Sequence, residues 1–296
     1  MKISIIIPYS RRGKQLALCL EGIRKQKMSF EDYEVIVVGE TFKYEWNQGE
    51  MLIRHIPFDV SSYQRFPAAL MRNVGAKQAK GHVLVFLDCD IILSSEFLLN
   101  TWVLHKEKKI LSFALRKKLP KGIEIHSIAE VKKHRCEKDE REEVCSFFGG
   151  DYQKLHSIWL FAYSHTLCIN REQFFTVGMF CEEFTDWGLE DSEFAYRVMK
   201  SGIPIICDSK SQCYHIWHLE SFDKDRANGY KINLSIFRSK YDDPILDGLE
   251  LCVNCLEPKI ILRLFSCGIS PQALSLFLYE SYVRGYQKNF WGRMES

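Results

Sequence analysis

No apolar run in this 296-residue chain approaches the roughly 18 residues needed to cross a bilayer. The opening run at 3–7 is short and is followed by Pro8. It reads as a strand rather than a secretory leader, and the expectation is a cytoplasmic protein. Excess charge of one sign is also missing: 40 lysines and arginines stand against 38 aspartates and glutamates, a net charge of +2. That balance gives no strong attraction to nucleic acid or to a membrane surface. No glycine-rich, lysine-bearing phosphate loop follows the first strand, which weakens a nucleotidyltransferase reading. Internal repeats and low-complexity segments are lacking. The 11 cysteines are an odd number, which fits reduced thiols in a cytoplasm.

What is present is core material. At 46% hydrophobic, the chain suits one large domain, or one domain plus a smaller appendage. The aromatic share of 13% serves a core or a sugar-binding cleft equally well. Strand signals fall at 2–7, 34–38, 51–56 and 82–87, and helix signals at 13–26, 67–79 and 95–105. This alternation predicts an α/β fold with a mostly parallel central sheet flanked by helices. Further on, 160–169, 203–207 and 212–216 read as strands. Segments 171–177, 190–201 and 221–241 read as helices, the last weakened by Gly229.

Residues 116–155 differ in character. Arg116-Lys117-Lys118 opens the stretch, and 130–143 is mostly charged with mixed signs. A solvated helix or loop is expected there, or else a mobile flap over an acceptor. Residues 242–296 read as a helical C-terminal appendage, with an amphipathic helix over 271–286 that stripes Leu274, Leu278 and Tyr282. It packs on the main domain, makes a homodimer contact or touches a membrane surface. Cys252, Cys255 and Cys267 offer half of a zinc spacing and read as plain thiols.

Three constellations carry chemistry. Asp88 and Asp90 directly follow the apolar strand 83–87. Alternate residues of an extended segment point the same way, so both carboxylates can face one site. Carboxyl ends of strands in open α/β sheets are where ligands bind, and hard oxygen ligands suit Mg²⁺ or Mn²⁺. Next, Trp187-Gly188-Leu189-Glu190-Asp191 opens a helix. Gly188 allows close approach of a ligand, and the helix dipole favours ionised acids at its start; capping by those acids is the structural alternative. Last, Tyr214-His215-Ile216-Trp217-His218 places two imidazoles after a late strand.

The segments Ser4-Ile5-Ile6-Ile7-Pro8, Glu34-Val35-Ile36-Val37-Val38 and Arg72-Asn73-Val74-Gly75, leading to Phe86-Leu87-Asp88-Cys89-Asp90, resemble the nucleotide-binding half of a family-two glycosyltransferase of the GT-A fold. The Trp187–Asp191 run resembles the C-terminal module of galactosyl- and N-acetylgalactosaminyl-transferases. The resemblance covers about residues 2–241, which it implies are the catalytic domain. It implies that Glu40, after Gly39 in place of the usual first acid, contacts uracil, and that Arg72 faces the nucleotide. It extends the donor site to Pro8, Tyr9, Cys89, Trp187 and Gly188. It makes Asp191 the general base and Glu190 a holder of sugar hydroxyls. Asp88, Asp90 and His215 become ligands of Mn²⁺ or Mg²⁺, with His218 as the alternative to His215; an extended segment would let only one of the two reach the ion. The implied reaction is inverting transfer of a hexose or N-acetylhexosamine from a UDP-sugar to an acceptor hydroxyl in glycan or polysaccharide biosynthesis. The acceptor is a glycan, lipid-linked or peptide molecule, reached in the cytoplasm or at the inner membrane face. The rival from another class is a non-catalytic homologue that binds nucleotide sugar.

Overall fold

All seven residues of β1 (Ile3–Tyr9) are buried. The computed structural model describes residues 1–42, 51–218, 224–249 and 276–281. Ile3, Ile5 and Ile7 join one layer of core and Ile6 the other, as the two-residue period of a strand requires. A strand covered on both faces sits in the middle of a sheet. α1 (Gly13–Arg24) covers the first layer with Leu16, Cys19, Leu20 and Ile23. β2 (Tyr33–Gly39) pairs with β1 in parallel, and β3 (Ile53–Pro57) pairs with β2 the same way. α2 (Ala68–Gln78) covers the opposite layer. It lies close at Gly75, where a Cβ would come within 2.5 Å of Ile6 Cγ2. β4 (Val83–Leu87) then pairs in parallel with the free side of β1.

The chain leaves the main sheet at Asp88 and starts a second one with β5 (Ile91–Leu93). α3 (Phe97–His105) and β6 (Leu111–Phe113) lead to β7 (Arg116–Lys118) and α4 (Glu140–Phe147). β8 (Thr166–Asn170), α5 (Arg171–Val177), α6 (Glu190–Lys200), β9 (Ile205–Cys207), β10 (Cys213–His215) and α7 (Lys224–Lys240) follow. The main sheet has the order β3-β2-β1-β4-β8-β6-β9, with β8 antiparallel to both neighbours. The small sheet has the order β5-β10-β7. The α/β class with a mostly parallel central sheet is the one expected from the sequence.

Several local features differ from the sequence reading or add to it. The short strands β6 and β7 are too brief to leave a periodic signal. The predicted strand 160–169 breaks into a 3-10 turn at Ile158–Phe161 and a strand from Thr166. Its intervening backbone is taken elsewhere: Arg141 donates to the Phe161 carbonyl at 2.6 Å, and the Ser164 amide donates to Asp191 at 3.0 Å. The charged stretch 130–143 turns partly inward rather than into solvent. Asp139, Glu140 and Arg141 are buried, and Arg141 pairs with both oxygens of Asp139 at 2.8 and 2.6 Å. Burial is tolerated because opposite charges meet. The helix expected over 221–241 is present as α7, which runs straight through Gly229, where the Trp187 amide nitrogen stands 3.0 Å from the place of a Cβ.

In the C-terminal region, residues 276–281 are helical. Tyr279 meets the Trp159 ring edge-on at 5.9 Å, and buried Glu280 accepts from the Ser157 amide at 3.0 Å. This part packs on the main body. Leu274, Tyr282, Cys252, Cys255 and Cys267 lie outside the described residues. No described helix is long and apolar enough to cross a membrane.

Candidate active site

The register of the small sheet builds the first half of the site. β10 pairs antiparallel with β5 so that His215 stands opposite Ile91. The Ile216 amide donates to the Asp90 carbonyl at 2.9 Å. Both histidines then reach the same carboxylate: Asp90 Oδ2 is 3.0 Å from His218 Nε2 and 3.8 Å from His215 Nε2. One ligand atom from each of Asp90, His215 and His218 lies within 4.8 Å of the others. The strand ends at His215, and beyond it both imidazoles, not one, stand beside Asp90. Oδ1 of Asp90 is buried without a hydrogen-bond partner. An unsatisfied carboxylate oxygen beside two imidazoles is a donor set that fits a divalent cation. Burial would raise the Asp90 pKa, but the hydrogen bond from His218 and the charges of His215 and Arg12 hold it well below the usual carboxylate range.

Asp88 is not in that group. Arg72, buried on α2, draws it away: Nη2 donates to Asp88 Oδ1 at 3.1 Å, and Nη1 donates to Glu190 Oε1 at 3.3 Å. Asn73 helps to set this arrangement. Its amide clasps the Phe180 backbone at 2.9 and 3.0 Å, and the Phe180 ring lies under the Arg72 guanidinium at 5.6 Å. Loss of water and the nearby Asp90 push Asp88 up against the pull of Arg72.

The second half stands at the start of α6. Gly188 and Leu189 both have positive φ, 91° and 69°, and this double left-handed step turns the chain into the helix. Asn233 on α7 holds the turn, donating to the carbonyls of Asp186 at 2.9 Å and Gly188 at 2.6 Å. Glu190 and Asp191 do not cap the helix; the cap position is Leu189, with no side-chain bond. Asp191 Oδ2 accepts from the Ser164 amide at 3.0 Å, and Oδ1 from the Ser192 amide at 2.9 Å. Burial and the neighbouring Asp191 push Glu190 up to about 7, against Arg72. Trp187, 52% exposed, presents an aromatic surface at the rim.

The third edge is the carboxyl end of β1 and β2. Glu40 accepts from the Ser10 hydroxyl at 3.0 Å and the Arg11 amide at 3.1 Å. The preceding Gly39, at φ 154°, lies against the Tyr9 carbonyl, 2.0 Å from where a Cβ would be. No acidic residue fits at that position. Pro8 lies in β1 opposite Val38. Tyr9 is buried against Phe42, with ring centroids 5.7 Å apart. Cys89 is buried, and burial with Asp90 beside it pushes its thiol well up, so it stays neutral.

Residues 4–242 match the family described as Glycosyltransferase like family 2. The chain belongs to that family. Validoxylamine A glucosyltransferase of Streptomyces hygroscopicus subsp. jinggangensis (strain 5008) is 26% identical over 74% of this chain and 55% of its own length. Chondroitin synthase of Escherichia coli is 28% identical over 80% of this chain and 38% of its own length. The chain thus spans about half, or less, of these relatives. A crystal structure of GalNAc-T7 with UDP, GalNAc and Mn²⁺ superposes with a TM-score of 0.57 at 15% identity, covering 86% of this chain and 51% of that one. The fold is of the GT-A type.

Within this family-2 chain, three site residues escaped the sequence reading. Ser164 sits in a loop and carries no motif. Asn233 acts from α7, a helix to which the sequence reading gives no site residue. Arg12 follows β1 at the ligand-binding edge, and its neighbour Arg11 was the available hint of cationic character there.

Proposed function

We propose that the chain transfers a hexose or N-acetylhexosamine from a UDP-sugar to an acceptor hydroxyl, with a divalent metal ion and with inversion at the anomeric carbon. One observation carries the reading. A cluster with the donors for a cation, Asp90 with His215 and His218, adjoins the chain of bonds Asp88–Arg72–Glu190, and next to Glu190 stands a backbone-held carboxylate, Asp191.

Asp90, His215 and His218 would hold the ion, and Asp88, two residues before Asp90, is a further carboxylate at the same strand end. Mn²⁺ accepts the mixed nitrogen and oxygen donors more readily than Mg²⁺, which prefers oxygen. The bound ion supplies positive charge for the leaving diphosphate. Arg72 faces the same charge, and Glu40, at the end of β2, accepts from the uracil. Glu190 and Trp187 hold the donor sugar by hydroxyl hydrogen bonds and ring stacking. Asp191 takes the proton from the acceptor hydroxyl as that oxygen attacks. Its two amide donors orient it for this. Direct attack with one displacement gives inversion. We assign the acceptor to a glycan; the relative named for chondroitin synthesis supports that class.

A panel of nucleotide sugars, screened by thermal unfolding with and without Mn²⁺, tests the reading. A ligand of the native state raises the melting temperature. A UDP-sugar is expected to raise it, and to raise it further with Mn²⁺. The reading fails if no nucleotide sugar shifts it under either condition.

A further inference from the structure

A third cationic group meets Asp90 from a different direction. Arg12, the residue that leads into α1, places Nη1 on Asp90 Oδ2. This is the same oxygen that His218 and His215 approach at 3.0 and 3.8 Å. The Asp90 side chain is almost wholly buried, whereas 39% of the Arg12 side chain is exposed. The nearby cations have other attachments. Arg72 is committed to Asp88 and Glu190, and the Arg11 amide and side chain turn to Glu40.

We infer that Arg12 is a resident cation that holds Asp90 before metal binds and moves to the donor diphosphate when metal takes its place, so that metal and nucleotide bind as a coupled pair. The inference rests on the metal-dependent reading above. A guanidinium and a divalent ion on the same small, buried carboxylate repel each other, which favours release of the guanidinium when an ion binds. Arg12 is the group free to leave: its side chain reaches solvent, whereas His215 is held in β10. Its destination follows from chemistry. A diphosphate accepts the planar fork of a guanidinium through paired hydrogen bonds. Arg12 also stands past the carboxyl end of β1, at the sheet edge where ligands of such folds bind.

Binding of Mn²⁺, followed by electron paramagnetic resonance with and without UDP, tests this on the full chain and on Arg12→Ala, Arg12→Gln and Arg12→Lys. Without UDP, the Ala and Gln variants are expected to bind Mn²⁺ about tenfold more tightly than the parent, within the usual range of coupling between two ligands. The gain in Mn²⁺ affinity on adding UDP should shrink in the same two variants. The Lys variant, which keeps a cation, should stay near the parent. Equal or weaker Mn²⁺ binding by Ala and Gln without UDP overturns the inference and leaves the metal reading standing. Failure of the parent and all variants to bind Mn²⁺, with or without UDP, overturns both.

Discussion

Nη2 of Arg72 lies 3.1 Å from Oδ1 of Asp88, and the other arm of the same guanidinium reaches Glu190 at 3.3 Å. One buried side chain thus links Asp88 at the strand end to Glu190 at the start of α6. Arg72→Met keeps the packing volume but removes the shared counter-charge. Transfer should fall by at least about 100-fold, the scale of losing one preorganised electrostatic contact. Steady-state UDP release checks it.

Asp191 is held by two amide donors and bears no structural ion pair among the described residues. Asp191→Asn should therefore unfold within a few degrees of the parent. Its turnover should fall by about 10²–10⁴-fold, the range of general-base contributions. Circular dichroism melts and product formation under saturating donor separate the two effects. Full activity in the variant would sink the base assignment.

Glu190 titrates near 7 because burial and Asp191 outweigh Arg72. Its proton is held more tightly in the folded chain than in the unfolded one. Its contribution to stability is thus fully present below about pH 4.5 and is lost as pH rises through about 7. In metal-free protein, Glu190→Gln should gain stability relative to the parent as pH rises from about 5 to about 8. Urea unfolding across that range measures it; parallel curves for parent and variant would contradict it.

Asp139 and Arg141 are fully buried partners, and the charge of Arg141 holds Asp139 well below the usual carboxylate range, against its burial. That contribution is fully present above the unfolded value of about 3.9 and is lost as pH falls through the folded value. Asp139→Ala strands a buried guanidinium and should cost about 3–5 kcal/mol at neutral pH. Below about pH 4 its stability should depend less steeply on pH than the parent's. Chemical denaturation at several pH values tests both statements.

Much of this architecture is legible in the chain because β1, β2 and β4 are continuous apolar runs, and a strand buried on both faces must read that way. The placing of Asp88 and Asp90 follows at once, since they leave the last of those runs. Local patterns do not carry the pairing of β10 with β5, which sets His215 opposite Ile91, next to Asp90. Nor do they show that Arg141 faces inward, because its partners Asp139 and the Phe161 carbonyl decide that. Arg12 meets Asp90 across 78 positions of sequence, a separation that periodicity does not report.

The most direct measurement is UDP release from a panel of UDP-hexoses and UDP-N-acetylhexosamines, by the parent and by Asp90→Asn, with Mn²⁺ and with EDTA. The account predicts that the parent releases UDP from at least one of these donors with Mn²⁺ present. That release should stop with EDTA and in Asp90→Asn. Release that ignores both EDTA and the substitution, or no release from any donor, would contradict it.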